Sequence, residues 1–129
     1  MRNRFLPRPT DAELAILRIL WERGPSSVRQ VHKALNQGRT RGYTTALKLL
    51  QIMTEKKLVE RDESQRPQIY RPRLPREHTE RQLVSDLLDR AFGGSAKRLV
   101  LQALAVKEAS AEELAQIEKL LSKLEGDGE

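Results

Sequence analysis

The chain contains no cysteine, few aromatic residues and no long apolar run among its 129 residues. The absence of cysteine excludes a disulfide framework and a thiolate metal site. Aromatic residues are 4% of the total, too few for a large aromatic-lined pocket or for stacking single-stranded bases. No stretch could span a bilayer, and the N-terminal MRNRFLPRPT lacks the apolar centre of a signal peptide, so we expect a cytosolic (cytoplasmic) protein without membrane insertion.

Histidine is also scarce, and this argues against an enzyme. His32 and His78 lie in different parts of the chain, and neither belongs to a metal-ligand or nucleophile-base pattern. Glu112 and Glu113 fall in the first turn of a helix, where carboxylates favour the helix dipole. No glycine-rich phosphate loop follows a strand. We therefore expect no catalytic residues, no metal site and no cofactor.

Acidic residues are scarce only in the first part of the chain. Residues 1–75 carry 16 lysines and arginines against 7 acids, whereas residues 76–129 carry 8 against 11. A basic part followed by a mildly acidic part is typical of proteins in which one half binds a polyanion. A chance excess of charge on a solvated surface is the alternative interpretation.

Two capping boxes mark the starts of the first two helices. They pair Thr10 with Glu13 and Ser27 with Gln30, each just before an apolar periodic run. A glycine and a proline end the first helix, and Gly38 ends the second.

A third helix is predicted over residues 42–57. At 100° per residue its core-facing stripe contains Ala46, Leu49, Leu50 and Met53. The opposite face carries hydroxyls, an amide and a lysine, with no acid until Glu55. Ordinary solvent-facing helices mix both signs of charge, so this face is unusual.

Two short extended runs follow, LVERD and QIYRPR, separated by the polar ESQRP. This pattern predicts a β-hairpin. Three helices and a hairpin are the order of a winged helix-turn-helix, in which the third helix enters the major groove and the wing lies along the backbone. An acid-free helix face suits that role because no carboxylate repels the phosphates.

The remaining residues, 75–129, are predicted to be helical. Three helices this short are not expected to bury their apolar stripes by themselves, so association with an identical copy is expected. We predict a mainly α fold with a winged-helix DNA-binding domain at 1–74 and a helical dimerisation domain at 75–129. The predicted dimerisation residues are Leu83, Leu87, Leu99, Val100, Leu104, Leu114, Ile117 and Leu121.

The chain resembles the penicillinase repressor family, the bacterial repressors of β-lactamase and methicillin-resistance genes. The likeness extends from PTDAELAILRILWERGPSSVRQV through YTTALKLLQIMTEKKLVERD and YRPR to AFGGSAKRLVLQAL. Its most distinctive pieces are the Leu-Trp-Glu ending of the first helix, the Tyr-Thr-Thr start of the third, and the Phe-Gly-Gly-Ser junction at residues 92–95.

The resemblance implies a homodimeric repressor that binds palindromic double-stranded operators through its winged helices. The family's DNA-facing positions match Thr44, Thr45, Lys48 and Gln51, and Arg66 lies on the wing. For the two threonines, helix capping alone is the alternative. From charge and placement we add three candidates for phosphate contacts, namely Arg39, Arg41 and Tyr43.

Some features depart from the family. Ile52 stands where many relatives have an arginine, which predicts a different operator or an apolar contact to a thymine methyl. Relatives that respond to β-lactams are cut by a membrane-bound sensor protease at a position that aligns with Gln102-Ala103, where the usual residues are Asn-Phe. Copper-responsive relatives carry a cysteine cluster, which this chain lacks.

Two other functions are alternatives to repression by a DNA-bound dimer. A winged-helix scaffold for protein interaction is disfavoured by the basic first part and the acid-free helix face. A ligand-sensing repressor with a pocket between its helices is disfavoured by the few aromatic residues and the small second domain.

Overall fold

The computed structural model describes residues 8–36 and 42–127. Within them, helices and strands follow the predicted order, which confirms a mainly α fold with a winged helix followed by further helices. The elements are α1 (Asp11–Arg23), α2 (Val28–Asn36), α3 (Tyr43–Glu55), β1 (Val59–Asp62), β2 (Ile69–Pro72), α4 (Arg76–Ala91), α5 (Ala96–Val106) and α6 (Ala111–Asp127).

The chain divides into two compact units, one ending at Asp86 and the other beginning at Leu87. This division lies inside α4, because the first turns of that helix pack with the first unit. The guanidinium of Arg76 lies 5.4 Å from the ring centroid of Trp21, and Thr79 is buried. The functional boundary between residues 74 and 75 stays a prediction.

The expected capping boxes start α1 and α2. The amide of Glu13 donates to Thr10 Oγ1 over 3.2 Å, and the amide of Thr10 donates to Glu13 Oε1 over 2.9 Å. Ser27 and Gln30 form the same reciprocal pair at 2.8 and 3.2 Å. Gly24 ends α1 with φ at 84°, a left-handed conformation that favours glycine. The predicted stop of α2 at Gly38 lies outside the described residues.

The core of the first unit joins all three helices to the hairpin. Most of the predicted stripe of α3 is buried, but Leu49 is only half-buried. Full burial of a large apolar side chain contributes about 1.5–3 kcal/mol, so these contacts hold the third helix in place. The buried apolar residues are Ile16, Leu17, Leu20, Val28, Val31, Ala46, Leu50, Met53, Val59 and Tyr70.

The hairpin is antiparallel, with Val59 paired to Pro72 and Asp62 paired to Ile69. It is also joined to the segment before α2. The amide of Ser26 donates to the Tyr70 carbonyl over 3.0 Å, and the Tyr70 amide donates to the Ser26 carbonyl over 2.8 Å. Strand β2 of the wing is therefore fixed to the segment before α2 at Tyr70, one pair from the hairpin turn.

The second unit has no buried side chain in α5 or in the described part of α6. Gly93 and Gly94, both with positive φ, end α4, and the Gly94 amide donates to the Leu88 carbonyl over 2.8 Å. Ser110 and Glu113 form a capping box at the start of α6. No helix in the described ranges is long and apolar enough to cross a membrane.

Candidate nucleic-acid interface

The exposed face of α3 carries the predicted DNA-facing residues. Thr44, Thr45, Lys48 and Gln51 are all exposed, and helical spacing places them on one side of the helix. The first turn contains no acid, so no carboxylate of that turn neutralises the positive end of the helix dipole. The side of α3 that points away from the core is therefore polar, short and free of negative charge over its first two turns.

The two threonines do not serve as caps in this structure. The N-cap of α3 is Gly42, which makes no side-chain capping bond. The Thr45 amide donates to the Gly42 carbonyl over 3.1 Å. The capping explanation for Thr44 and Thr45 therefore loses its structural basis. Both residues are exposed, and a threonine hydroxyl can donate to or accept from a ligand.

Tyr43 stands at the start of α3 and also touches α2. Its ring lies edge-on to His32, with centroids 5.9 Å apart and planes at 76°. The tyrosine is nevertheless 46% exposed. This contact joins the two helices of the helix-turn-helix at the end of α3 that carries the threonines. Arg39 and Arg41, the other predicted phosphate contacts, lie outside the described residues.

Ile52 is 37% exposed, on the same side of α3 as Thr45 and Lys48. Glu55, one turn beyond Gln51, is the first acid on this face. The apolar side chain at position 52 is thus accessible rather than packed in the core.

Arg66 lies in the turn of the wing and is exposed. Its Nη1 donates to the Glu63 carbonyl over 3.2 Å, and within the described ranges no carboxylate pairs with it. The acids beside it are already engaged. Arg61 pairs with Glu63 at 2.8 Å, and Asp62 accepts hydrogen bonds from Ser64 and Gln65.

The carboxylate of Asp62 is stabilised in its charged form. The hydrogen bond from Ser64, followed by that from Gln65, holds the pKa of Asp62 below its ordinary value. Sequence reasoning missed this arrangement, together with two further exposed arginines of the hairpin region, Arg71 and Arg73. The run YRPR was the available signal for both arginines.

An ion pair between a half-buried lysine and a buried carboxylate fixes the far end of α3. Lys56, the C-cap of α3, donates through Nζ to Glu13 Oε1 over 2.7 Å. Glu13 is only 2% exposed. Burial raises the pKa of Glu13, but the hydrogen bonds from Lys56 and Thr10 outweigh that effect and hold it below its ordinary value. Sequence reasoning identified Glu13 only as a cap, because nothing local indicates Lys56.

The predicted dimerisation residues divide by exposure. Leu87, Val100, Leu114 and Leu121 are exposed by 42 to 52%. The other four, Leu83, Leu99, Leu104 and Ile117, are half-buried. Further exposed apolar residues of the second unit are Leu101, Val106, Leu120 and Leu124.

The aligned cleavage position lies in the middle of α5. Gln102 and Ala103 are both exposed. Within the described ranges, no group of three or more histidines and acids could hold a metal ion.

Comparison with known proteins identifies a family, relatives within it and related solved structures. A family model described as penicillinase repressor matches residues 9–123. The chain is 33% identical over 121 residues to "Transcriptional regulator BlaI" of two Mycobacterium tuberculosis strains, with 93% of this chain and 87% of the relative covered.

The first related structure is the Bacillus licheniformis BlaI monomeric form in complex with the blaP half-operator, with a TM-score of 0.50, 22% identity, and coverage of 60% of this chain and 92% of that one. The second is a MarR family protein from Bacillus stearothermophilus, with a TM-score of 0.50 and 23% identity. The match covers 92% of this chain and 74% of that one. At these identities the likeness establishes the fold.

Proposed function

The chain belongs to the penicillinase repressor family, and from this premise we propose that it is a homodimeric transcriptional repressor of pseudo-palindromic operator DNA. The family and the relatives named above are transcriptional regulators rather than enzymes. The observation that carries the proposal is the exposed face of α3, which presents Thr44, Thr45, Lys48 and Gln51 without an acid in its first two turns.

In the proposed complex α3 lies in the major groove. Threonine hydroxyls and the Gln51 amide can bond base edges or phosphates, and Lys48 adds a positive charge. The ion pair of Lys56 with Glu13 holds the C-terminal end of α3, so the helix is presented in one orientation. This rigidity reduces the entropy lost on binding.

The wing supplies a phosphate contact through Arg66. The local acids are paired within the turn, so the guanidinium retains donors for a phosphate oxygen. Phosphate contacts contribute affinity and position the protein, whereas contacts between α3 and the base edges determine which DNA sequence is bound.

Dimerisation through the second unit is the next part of the proposal. Leu87, Val100, Leu114 and Leu121 are exposed in the chain taken alone, and neither α5 nor the described part of α6 buries a side chain. Burial of these residues against a second copy would remove apolar surface from water and stabilise both copies. Two linked winged helices would then bind both half-sites, and the dimer would bind more tightly than either winged helix alone because the second contact is intramolecular.

Induction would act by weakening this dimer. We propose cleavage between Gln102 and Ala103 by a membrane-bound sensor protease, which would separate α6 from the winged helix. Both residues are exposed in the chain taken alone. Mass spectrometry of the chain from induced cells would detect the two fragments, and an intact chain in derepressed cells would contradict cleavage.

The proposal predicts that Lys48→Ala and Arg66→Ala each weaken binding to double-stranded DNA while leaving dimerisation unchanged. Each lost phosphate contact should reduce the slope of log affinity against log salt by about 0.9. Titration of duplexes drawn from the organism's own genome, at several salt concentrations, measures both effects.

Lys123→Ala is the matched control, because it removes the same charge from the exposed surface of α6. It should leave DNA affinity nearly unchanged. Equal losses in all three variants would indicate a general effect of net charge and would count against the assigned face. Unchanged affinity for Lys48→Ala and Arg66→Ala would count against DNA binding by α3 and the wing.

A further inference from the structure

The turn of the wing is held by one carboxylate. We call residues 62–66 the wing turn. Asp62 Oδ1 accepts from the Ser64 amide over 3.0 Å and from Ser64 Oγ over 2.6 Å, while Oδ2 accepts from Gln65 Nε2 over 3.1 Å. Both residues that precede Arg66 are therefore bound to Asp62.

The position of Arg66 depends on this turn. Its guanidinium donates to the backbone carbonyl of Glu63, which stands between Asp62 and Ser64. Arg61 holds the Glu63 side chain at 2.8 Å and so keeps that carboxylate from competing for Arg66. A change in the backbone of the wing turn would move the carbonyl that Arg66 contacts.

We propose that Asp62 is a positioning residue for DNA binding, which holds the wing turn in the conformation that presents Arg66 to a phosphate. The inference rests on the proposed function and adds to it a residue that does not itself contact DNA. Asp62 stabilises the turn before DNA arrives, so less conformational entropy is lost when Arg66 binds.

The positioning role and the charge of Asp62 predict opposite changes in DNA affinity when the residue is removed. The negative charge of an aspartate repels a polyanion beside it, so charge alone predicts that removal of Asp62 raises affinity. Positioning predicts the opposite for Asp62→Ala, which loses the turn together with the charge. Asp62→Asn separates the two effects, because its amide oxygen still accepts from the Ser64 amide without carrying charge.

The test measures binding of the full chain to a random-sequence DNA duplex across a series of salt concentrations. We expect Asp62→Ala to bind about 3- to 10-fold more weakly than the wild type, with a lower salt slope, as for loss of one phosphate contact. Asp62→Asn should bind at least as tightly as the wild type. If Asp62 only stabilised the fold, Asp62→Ala and Asp62→Asn would not differ in DNA affinity when both variants unfold at the same urea concentration.

A double variant ties the effect to Arg66. In the Arg66→Ala background, Asp62→Ala should cause no further loss, because the side chain it positions is already absent. Trp21 fluorescence during urea unfolding should give the same midpoint for every variant, since residues 63–66 are exposed and Asp62 is outside the core.

Tighter binding by both Asp62→Ala and Asp62→Asn would overturn the inference and reduce Asp62 to a repelling charge. Equal loss from Asp62→Ala with and without Arg66 would overturn it as well. Absence of duplex binding by the wild type would instead overturn the proposed function, and the inference with it.

Discussion

Glu13 has two partners that lie far apart in the chain. Its carboxylate bonds the Thr10 amide at the start of α1 and the Lys56 ammonium at the end of α3, 43 residues away. The side chain of Glu13 is 3% exposed and that of Lys56 is 30% exposed. A buried carboxylate is tolerated only when its charge is matched, so this pair is part of what orients α3.

Lys56→Met should destabilise the first unit by about 1–3 kcal/mol, because it leaves the buried Glu13 carboxylate without its cation. Trp21 is the chain's single tryptophan and lies in α1, so its fluorescence during urea unfolding reports on this unit. Arg18→Met is the control, since it breaks the exposed Arg18–Glu22 pair and should change stability by less than about 1 kcal/mol. Equal effects would contradict a special role for the buried pair.

The Glu13 pair also predicts the direction of a pH effect. The pKa of Glu13 is lowered in the folded chain. Its stabilising contribution is therefore present above the unfolded carboxyl pKa, about 4.3, and is lost as pH falls through the lower folded value. The stability difference between the wild type and Glu13→Gln, measured by urea unfolding, should be constant near neutrality and shrink on acidification. A difference that grows below that pKa would contradict the assignment.

At the scale of elements, α3 is a helix with two different sides. Ala46, Leu50 and Met53 are buried, whereas the opposite side carries only small polar groups and Lys48 until its last turn. The buried side holds the helix on the core and leaves the other side for a ligand. For a polyanion, the absence of acids matters as much as the presence of Lys48.

Gln51→Glu should therefore weaken duplex binding at low salt by about 10-fold or more, since it places a charge of the phosphates' own sign on the proposed interface. The new acid would also lie one turn from Lys48 and partly neutralise it. Gln102→Glu makes the same change on exposed α5 and should have little effect. Titration of one duplex with each variant measures the two affinities. Similar losses of affinity would indicate an effect of net charge rather than of this helix face.

At the scale of the whole molecule, the two units differ in how they bury apolar residues. The first has a core contributed by three helices and both strands, whereas α5 and the described part of α6 bury no side chain. Leu114, Leu120, Leu121 and Leu124 are each exposed by 42 to 56% in the chain taken alone. Exposed apolar residues in this number are typical of a surface that another chain covers.

Leu121→Lys should weaken dimerisation by about 100-fold or more, because two-fold symmetry places the new charge in the interface twice. Sedimentation equilibrium measures the change. Ala115→Lys adds the same charge on another side of α6 and should leave the dimer intact. The Trp21 unfolding midpoint should be unchanged in both variants. A Leu121→Lys chain that remains dimeric would count against this interface.

Much of the architecture followed from local signals in the sequence. Capping pairs three residues apart located the starts of α1 and α2, and apolar spacing identified the buried side of α3. The acid-free face of α3 was equally visible, because residues three and four apart share a side of a helix. These interactions lie within a single turn, so the order of residues alone determines them.

Only the tertiary structure decided which distant residues meet. The Glu13–Lys56 pair and the bridge between Ser26 and Tyr70 join segments that come together when the core packs. The same packing left Leu49 half-buried although its spacing predicted a core position. Periodicity determines which side of a helix faces inward, but the neighbouring elements determine how completely each side chain is covered and which buried charge finds a partner.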